Sequence, residues 1–134
     1  MALTQSTVML LEDDAATREL YRRELSRSFT VVACGSEQEV GTQLSAAQEH
    51  GANVDVLVLE PAALKSDAKN FVTSVRRLYP RLPIVICSVL DVRGRSAELG
   101  ASVYLIKPVT PAVLANTLAA VLGERPTLET SDKS

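Results

Sequence analysis

Five short apolar runs, each followed by a longer segment of mixed apolar and charged residues, constrain this chain more than any other feature. Thr7-Val8-Met9-Leu10-Leu11 is the first, and it stops abruptly at Glu12-Asp13-Asp14. Phe29 to Cys34, Val54 to Leu59, Pro83 to Ser88 and Ser102 to Ile106 repeat the pattern. A run that is apolar at every position, rather than every second one, suits a strand covered on both faces. Between the runs, Ala15 to Arg27 carries Leu20, Tyr21 and Leu25 among Arg and Glu at helical spacing, with Asp14 placed to cap it. Ser36-Glu37-Gln38-Glu39 reads as a capping box; Val40, Leu44 and Ala47 then share a face, and Gly51 closes the helix. Val72, Val75 and Leu78 mark a third helix that Pro80 helps to stop. A short helical stretch from about Asp91 to Leu99 ends at Gly100, and Thr110-Pro111 opens a last helix reaching Leu122.

Strands that each lead into a helix predict an α/β fold. The expected form is a flavodoxin-like (βα)5 doubly wound, five-stranded parallel sheet with helices on both faces. One domain over residues 1–123 accommodates it, with a polar tail or linker start over 124–134. There is no internal repeat. A net charge of −2 and a pI near 5.4 give no electrostatic reason to expect nucleic acid as a direct ligand. The absence of Trp and an aromatic content of 4% argue against a base-stacking surface. No apolar run approaches the roughly 18 residues a membrane span needs, and the first residues lack a secretory signal's pattern. Cys34 and Cys87 sit in apolar runs without CxxC spacing, which reads as two buried, reduced thiols in a cytoplasmic protein.

In sheets of this class the chemistry collects at the carboxyl ends of the strands. Those ends carry Glu12-Asp13, Glu60, Ser88 and Lys107. In this order, over residues 6 to 122, they resemble the receiver domains of two-component response regulators. The resemblance implies that Glu12 and Asp13 help hold Mg²⁺ and that Glu60 stands at the phospho-acceptor position, where the family has Asp. It implies that Ser88 contacts the phosphoryl group, that Tyr104 changes rotamer on activation, and that the bond between Lys107 and Pro108 is cis. Three departures stand out. Glu60 replaces Asp, the segment from Pro61 to Ser66 lacks the family's Pro-Gly turn, and the stretch from Ser88 to Gly100 is about one helical turn short of the family norm.

Receiver phosphorylation needs a carboxylate in line with a phosphodonor, Mg²⁺ to neutralise oxygens, and Lys plus a hydroxyl for the remaining charge. Glu12, Asp13, Glu60 and the backbone carbonyl of Ala62 offer the oxygen donors Mg²⁺ prefers. Glu60, however, moves its carboxylate by roughly 1.3–1.5 Å, one C–C bond, and about 1 Å of misplacement already costs about 100-fold in rate. Phosphorylation on Glu60 is therefore expected to be poor. Three readings stay open: Glu60 paired with Lys107 and Ser88 as a partial mimic of the activated state, a Glu60–Lys107 ion pair without switching, and residual phosphorylation. The plainer readings of Ser88 and Tyr104 are a capped strand end and a half-buried core aromatic. His50 reads as a solvated residue beside the negative end of a helix dipole.

The last helix, Pro111 to Leu122, contains no charged residue. Leu114, Leu118 and Val121 suffice to cover the sheet, so Ala112, Val113, Ala115, Ala119 and Leu122 cannot all be buried. An exposed apolar strip marks an interaction site, and residues 102 to 122 are the expected face for a sensor kinase, an effector or a second copy. The plainer reading is an Ala-rich helix that exposes small methyls harmlessly. The sequence thus reads as an atypical receiver acting as a protein-interaction module, not an enzyme, with no direct nucleic-acid or membrane partner. One alternative is a working phosphorelay receiver with Mg²⁺-dependent phosphorylation, as a piece of a larger regulator or hybrid kinase. Another is a small flavodoxin-like cofactor domain, against which the missing Gly-rich loop after the first strand counts.

Overall fold

The computed structural model describes residues 5–65, 67–89 and 100–123. Strand β1 (Thr7–Leu11) leads to helix α1 (Ala15–Leu25), β2 (Thr30–Cys34) to α2 (Glu37–Glu49), and β3 (Val56–Leu59) through a 3-10 turn (Pro61–Ala63) to α3 (Ala68–Leu78). Strand β4 (Ile84–Ser88) and strand β5 (Val103–Ile106) follow, and α4 (Pro111–Leu122) is the last helix. The helical stretch expected over 91–99 and the tail over 124–134 lie outside the described residues.

All four strand pairings are parallel, in the order β2-β1-β3-β4-β5. The period of two along each strand divides the core into two layers. Met9, Leu11, Leu57, Leu59, Ile84 and Ile86 pack on one face with Val40 and Leu44 of α2 and Phe71, Val72 and Val75 of α3. Val8, Leu10, Val56, Val58, Val85 and Cys87 pack on the other with Tyr21 and Leu25 of α1 and Leu114 and Leu118 of α4. Apolar runs covered on both faces are what this arrangement requires. The order turns back between β1 and β3, so the residues just after these two strands flank the switch point.

The helix ends follow local chemistry, with three corrections to the expected pattern. Asp14 caps α1 through Thr17 N, and Thr110 caps α4 through Val113 N. Ser36 caps α2 through Glu39 N, but Glu39 reaches back to the amide of Gly35 rather than that of Ser36, so the box closes one residue early. Gly51 has φ +69°, and the bonds Gly51 N→Gln48 O and Ala52 N→Ala47 O close α2 in a Schellman motif. His50 is exposed at this end and its Nδ1 lies 2.7 Å from the Ala46 carbonyl. Leu20 and Leu78, expected on buried helical faces, are instead exposed. The buried face of α1 runs through Tyr21 and Leu25, and that of α3 through Phe71, Val72 and Val75.

Candidate functional site

The strand ends bring together three side chains from distant parts of the chain. The Glu12 amide donates to Cys34 O, extending the β1–β2 ladder by one residue, and the Glu60 amide donates to Leu11 O across the switch point. Both side chains are buried. Lys107 follows β5, and its amide donates to Ser88 O at the end of β4 at 2.8 Å. The next bond, Lys107–Pro108, is cis.

The Lys107 ammonium lies 2.6 Å from Oε1 of Glu12 and 2.6 Å from Oε1 of Glu60. The second oxygen of each carboxylate is also held: Oε2 of Glu12 accepts from the Asp14 amide at 3.1 Å, and Oε2 of Glu60 from the Ala62 amide at 3.0 Å. This second bond exists because Glu60 caps the 3-10 turn that starts at Pro61. Burial works against the lysine's charge, but hydrogen bonds to Glu12 and Glu60 outweigh it and hold Lys107 above the usual lysine range. Two buried carboxylates thus share one charged ammonium, leaving a formal charge of −1 on the cluster.

With this geometry in view, no family model matches the chain. A probable transcriptional regulator, ycf27, of Guillardia theta is 30% identical over 122 residues, covering 89% of this chain and 46% of that protein. The chain therefore spans about half the length of this relative. The chemotaxis protein CheY4 of Vibrio cholerae superposes with a TM-score of 0.75 at 24% identity, covering 88% of this chain and 99% of that one. A CheY-like response regulator receiver domain protein of Methanospirillum hungatei JF-1 superposes with a TM-score of 0.75 at 15% identity, covering 90% and 95%. The chain has the CheY-like receiver fold.

Of the expected acidic set, the receiver fold gathers Glu12 and Glu60 around Lys107 and leaves Asp13 exposed. Ala62 engages through its amide. Among the described residues no group of three His, Cys, Asp or Glu side chains is placed to hold a metal ion. Lys107 lies between the two carboxylates, bonded to one oxygen of each.

Ser88 is buried at the end of β4, between β3 and β5, and Tyr104 is half-buried on the α2–α3 face. Sequence reasoning missed Arg18, whose guanidinium donates to the backbone carbonyl of Glu12 at 2.8 Å and so braces the end of β1. Its only sequence signal is an Arg one turn into the helix after the acidic cluster. Tyr21 was expected only as an apolar face residue, yet its hydroxyl donates to Val109 O at 2.7 Å, tying α1 to the segment after Pro108. Cys34 and Cys87 are buried and free, and burial raises their thiols to about 11 and about 12.

On α4, Leu114 and Leu118 are fully buried while Ala112 and Val113 face outward, Val113 at 49% exposure. Leu122 and Ala115 pack against the α1–α4 core layer, so the outward strip is narrower than composition alone implies. Ala119 is half-buried. No helix of the described residues is long and apolar enough to cross a membrane.

Proposed function

We propose that this chain is a response-regulator receiver domain of two-component signalling that acts as a protein-interaction module, with Glu60 at the acceptor position in place of an ordinary phosphotransfer site. One observation carries the reading: at the strand ends where receiver chemistry collects, Glu60 is already committed to Lys107 and to the Ala62 amide. A pocket whose charges are paired in this way offers no open carboxylate to a phosphodonor. The extra methylene of Glu60 moves its oxygens by roughly 1.3–1.5 Å, beyond the positional tolerance of an in-line attack.

The fold neighbours and the transcriptional regulator of about twice this length support placing the chain in that signalling class. On this reading the partner is a cytoplasmic protein (a sensor kinase, an effector or a second copy) that contacts the face formed by β5 and α4. Ser88 and Tyr104 are the positions through which the pocket's state would reach that face.

The test is intact-mass analysis after incubation with acetyl phosphate and Mg²⁺, on the wild type and on Glu60→Asp. The expected result is an unmodified wild type and a Glu60→Asp chain carrying one phosphoryl group. A wild type that gains a base-labile phosphoryl group on Glu60 overturns the proposal and makes the chain a working receiver.

A further inference from the structure

A groove of about 550 Å³ runs between α2 and α3. Its floor is apolar, made by the core residues Val40, Leu44, Phe71 and Val75, and Leu78 stands exposed at one end. Its walls are low, with Gly41 and Ser45 on the α2 side and Ser74 on the α3 side. Gly41 is the residue that the fold leaves unexplained. It sits inside α2, where glycine weakens a helix relative to alanine, and a Cβ there would meet no described atom within 4 Å. The chain's own packing gives the missing side chain no use, whereas the close approach of another backbone would. We propose that this groove receives the outward strip of α4 from a second copy of the chain.

The strip suits the groove in charge, length and relief. Its exposed residues are Ala112, Val113, Asn116 and Ala120, none of them charged. Among the described residues that line the groove only Glu37 and Lys65 are charged, both at its carboxyl end, where the Glu37 carboxylate accepts from the Lys65 amide. A partner helix bearing charge would bury it along these walls without an opposite charge to pair. The strip of α4 brings none. From Ser36 to Ser45 the α2 wall rises about 14 Å, and from Ala112 to Ala120 the strip rises about 12 Å. Small residues on both surfaces let two helices approach closely, and Val113, 49% exposed, is the large apolar side chain the strip offers to the floor.

The strip and the groove lie over opposite faces of the sheet. A copy that gives its strip to one neighbour therefore keeps its groove open for another. Such a head-to-tail contact extends rather than closing by two-fold symmetry. The inference rests on the proposed function only in taking α4 as a docking face, and it adds the surface that receives that face.

Sedimentation velocity of the full chain from about 10 μM to about 1 mM covers the range of weak contacts through a single helix. The wild type is expected to grow past a dimer as its concentration rises. Leu78→Asp spoils the groove and Val113→Asp the strip; both residues are exposed, so each variant should stay folded and sediment as a monomer. Mixed, the two should form a one-to-one pair and nothing larger, because one brings an intact strip and the other an intact groove. Gly41→Ala should weaken association about tenfold or more and leave the urea midpoint unchanged or raised, a combination that a purely structural glycine does not give. A monomeric wild type overturns the inference, and so does a mixture that stays monomeric. A Leu78→Asp chain that associates like the wild type overturns it in favour of a symmetric α4 contact, and a Gly41→Ala chain of unchanged association overturns it as well. A wild type that is monomeric and also unmodified by acetyl phosphate removes this inference and leaves the proposed function standing.

Discussion

The ammonium of Lys107 and the carboxylate of Glu60 meet at 2.6 Å although β4 lies between the strands that present them. The side chain of Glu60 is 6% exposed and that of Lys107 15%, so little water screens the pair. Removing one partner of such a pair leaves the other charge stranded. Lys107→Ala strands two carboxylates together and is expected to cost about 3–5 kcal/mol in urea unfolding. Glu60→Gln leaves the Glu12–Lys107 bond intact and should cost clearly less. Equal costs for the two would mean that Glu12 contributes nothing to holding the lysine.

The thiols set the alkaline limit of stability. Cys34 and Cys87 are raised by burial to about 11 and about 12 from an ordinary value of 9.0. Above that ordinary value the unfolded chain ionises its thiols while the folded chain keeps its protons. The folded state then binds more protons, so stability falls as pH rises. Lys107 has the same sign: its folded value is raised, so its contribution is whole below the ordinary 10.5 and is lost at still higher pH. Denaturant midpoints should therefore fall between about pH 9 and about pH 10 in the wild type. In the Cys34→Ala, Cys87→Ala chain that early fall should disappear.

The two sides of α4 should separate stability from recognition. Leu118 is fully buried in the α1–α4 core layer, and Leu118→Ala is expected to cost about 2–5 kcal/mol. Val113 is 49% exposed, and Val113→Ser should change stability by less than about 0.5 kcal/mol. If the β5–α4 face is the docking surface, Val113→Ser should weaken self-association or partner binding, measured by analytical ultracentrifugation, at an unchanged unfolding midpoint.

The sheet was legible because Val8–Leu11 of β1, all of β3 and Ile84–Cys87 of β4 are continuously apolar, and runs this short suit strands covered on both faces. The last helix was legible to the residue because Thr110, Pro111 and Gly123 each do one local job: a hydroxyl cap, a preset φ, and a φ of +70° at the exit. The edges of the shorter strands were not. Val54 and Asp55 look like strand by position, but paired residues with β1 begin only at Val56; the Asp55 amide donates to Thr7 O while its carboxylate accepts from the Thr7 amide. Helix faces were read less well than helix ends. Leu78 sits at the right spacing after Val75 but is exposed at the last position of α3. At the site, residue types indicated which charges gather. They did not show that the lysine bridges both glutamates, because that depends on side-chain reach across three strands. Nor did they single out Arg18, whose bond is to a backbone carbonyl and leaves no trace in any pair of residue types.

Arg18 gives a prediction that isolates one contact. Its Nη1 donates to the Glu12 carbonyl at 2.8 Å, and the space it uses exists because residue 35 is glycine. A Cβ on Gly35 would stand 2.9 Å from that nitrogen and 3.3 Å from the guanidinium carbon. The atoms in conflict are the far end of a flexible side chain, so Gly35→Ala should move the guanidinium rather than the backbone. The expected cost is about 1.5–3 kcal/mol at most, the worth of a hydrogen bond from a charged donor. Arg18→Ala should cost a similar amount. The pair should be strongly non-additive: with the guanidinium gone, the nearest remaining atom to the new methyl is Glu39 Oε1 at 3.6 Å, an ordinary contact. In the Arg18→Ala background Gly35→Ala should be neutral, or stabilising by a few tenths of a kcal/mol through a less mobile unfolded chain. Urea midpoints of the four chains in this cycle measure the coupling directly. Additive costs would mean that Gly35 is needed for its own backbone conformation and not for the room it gives Arg18.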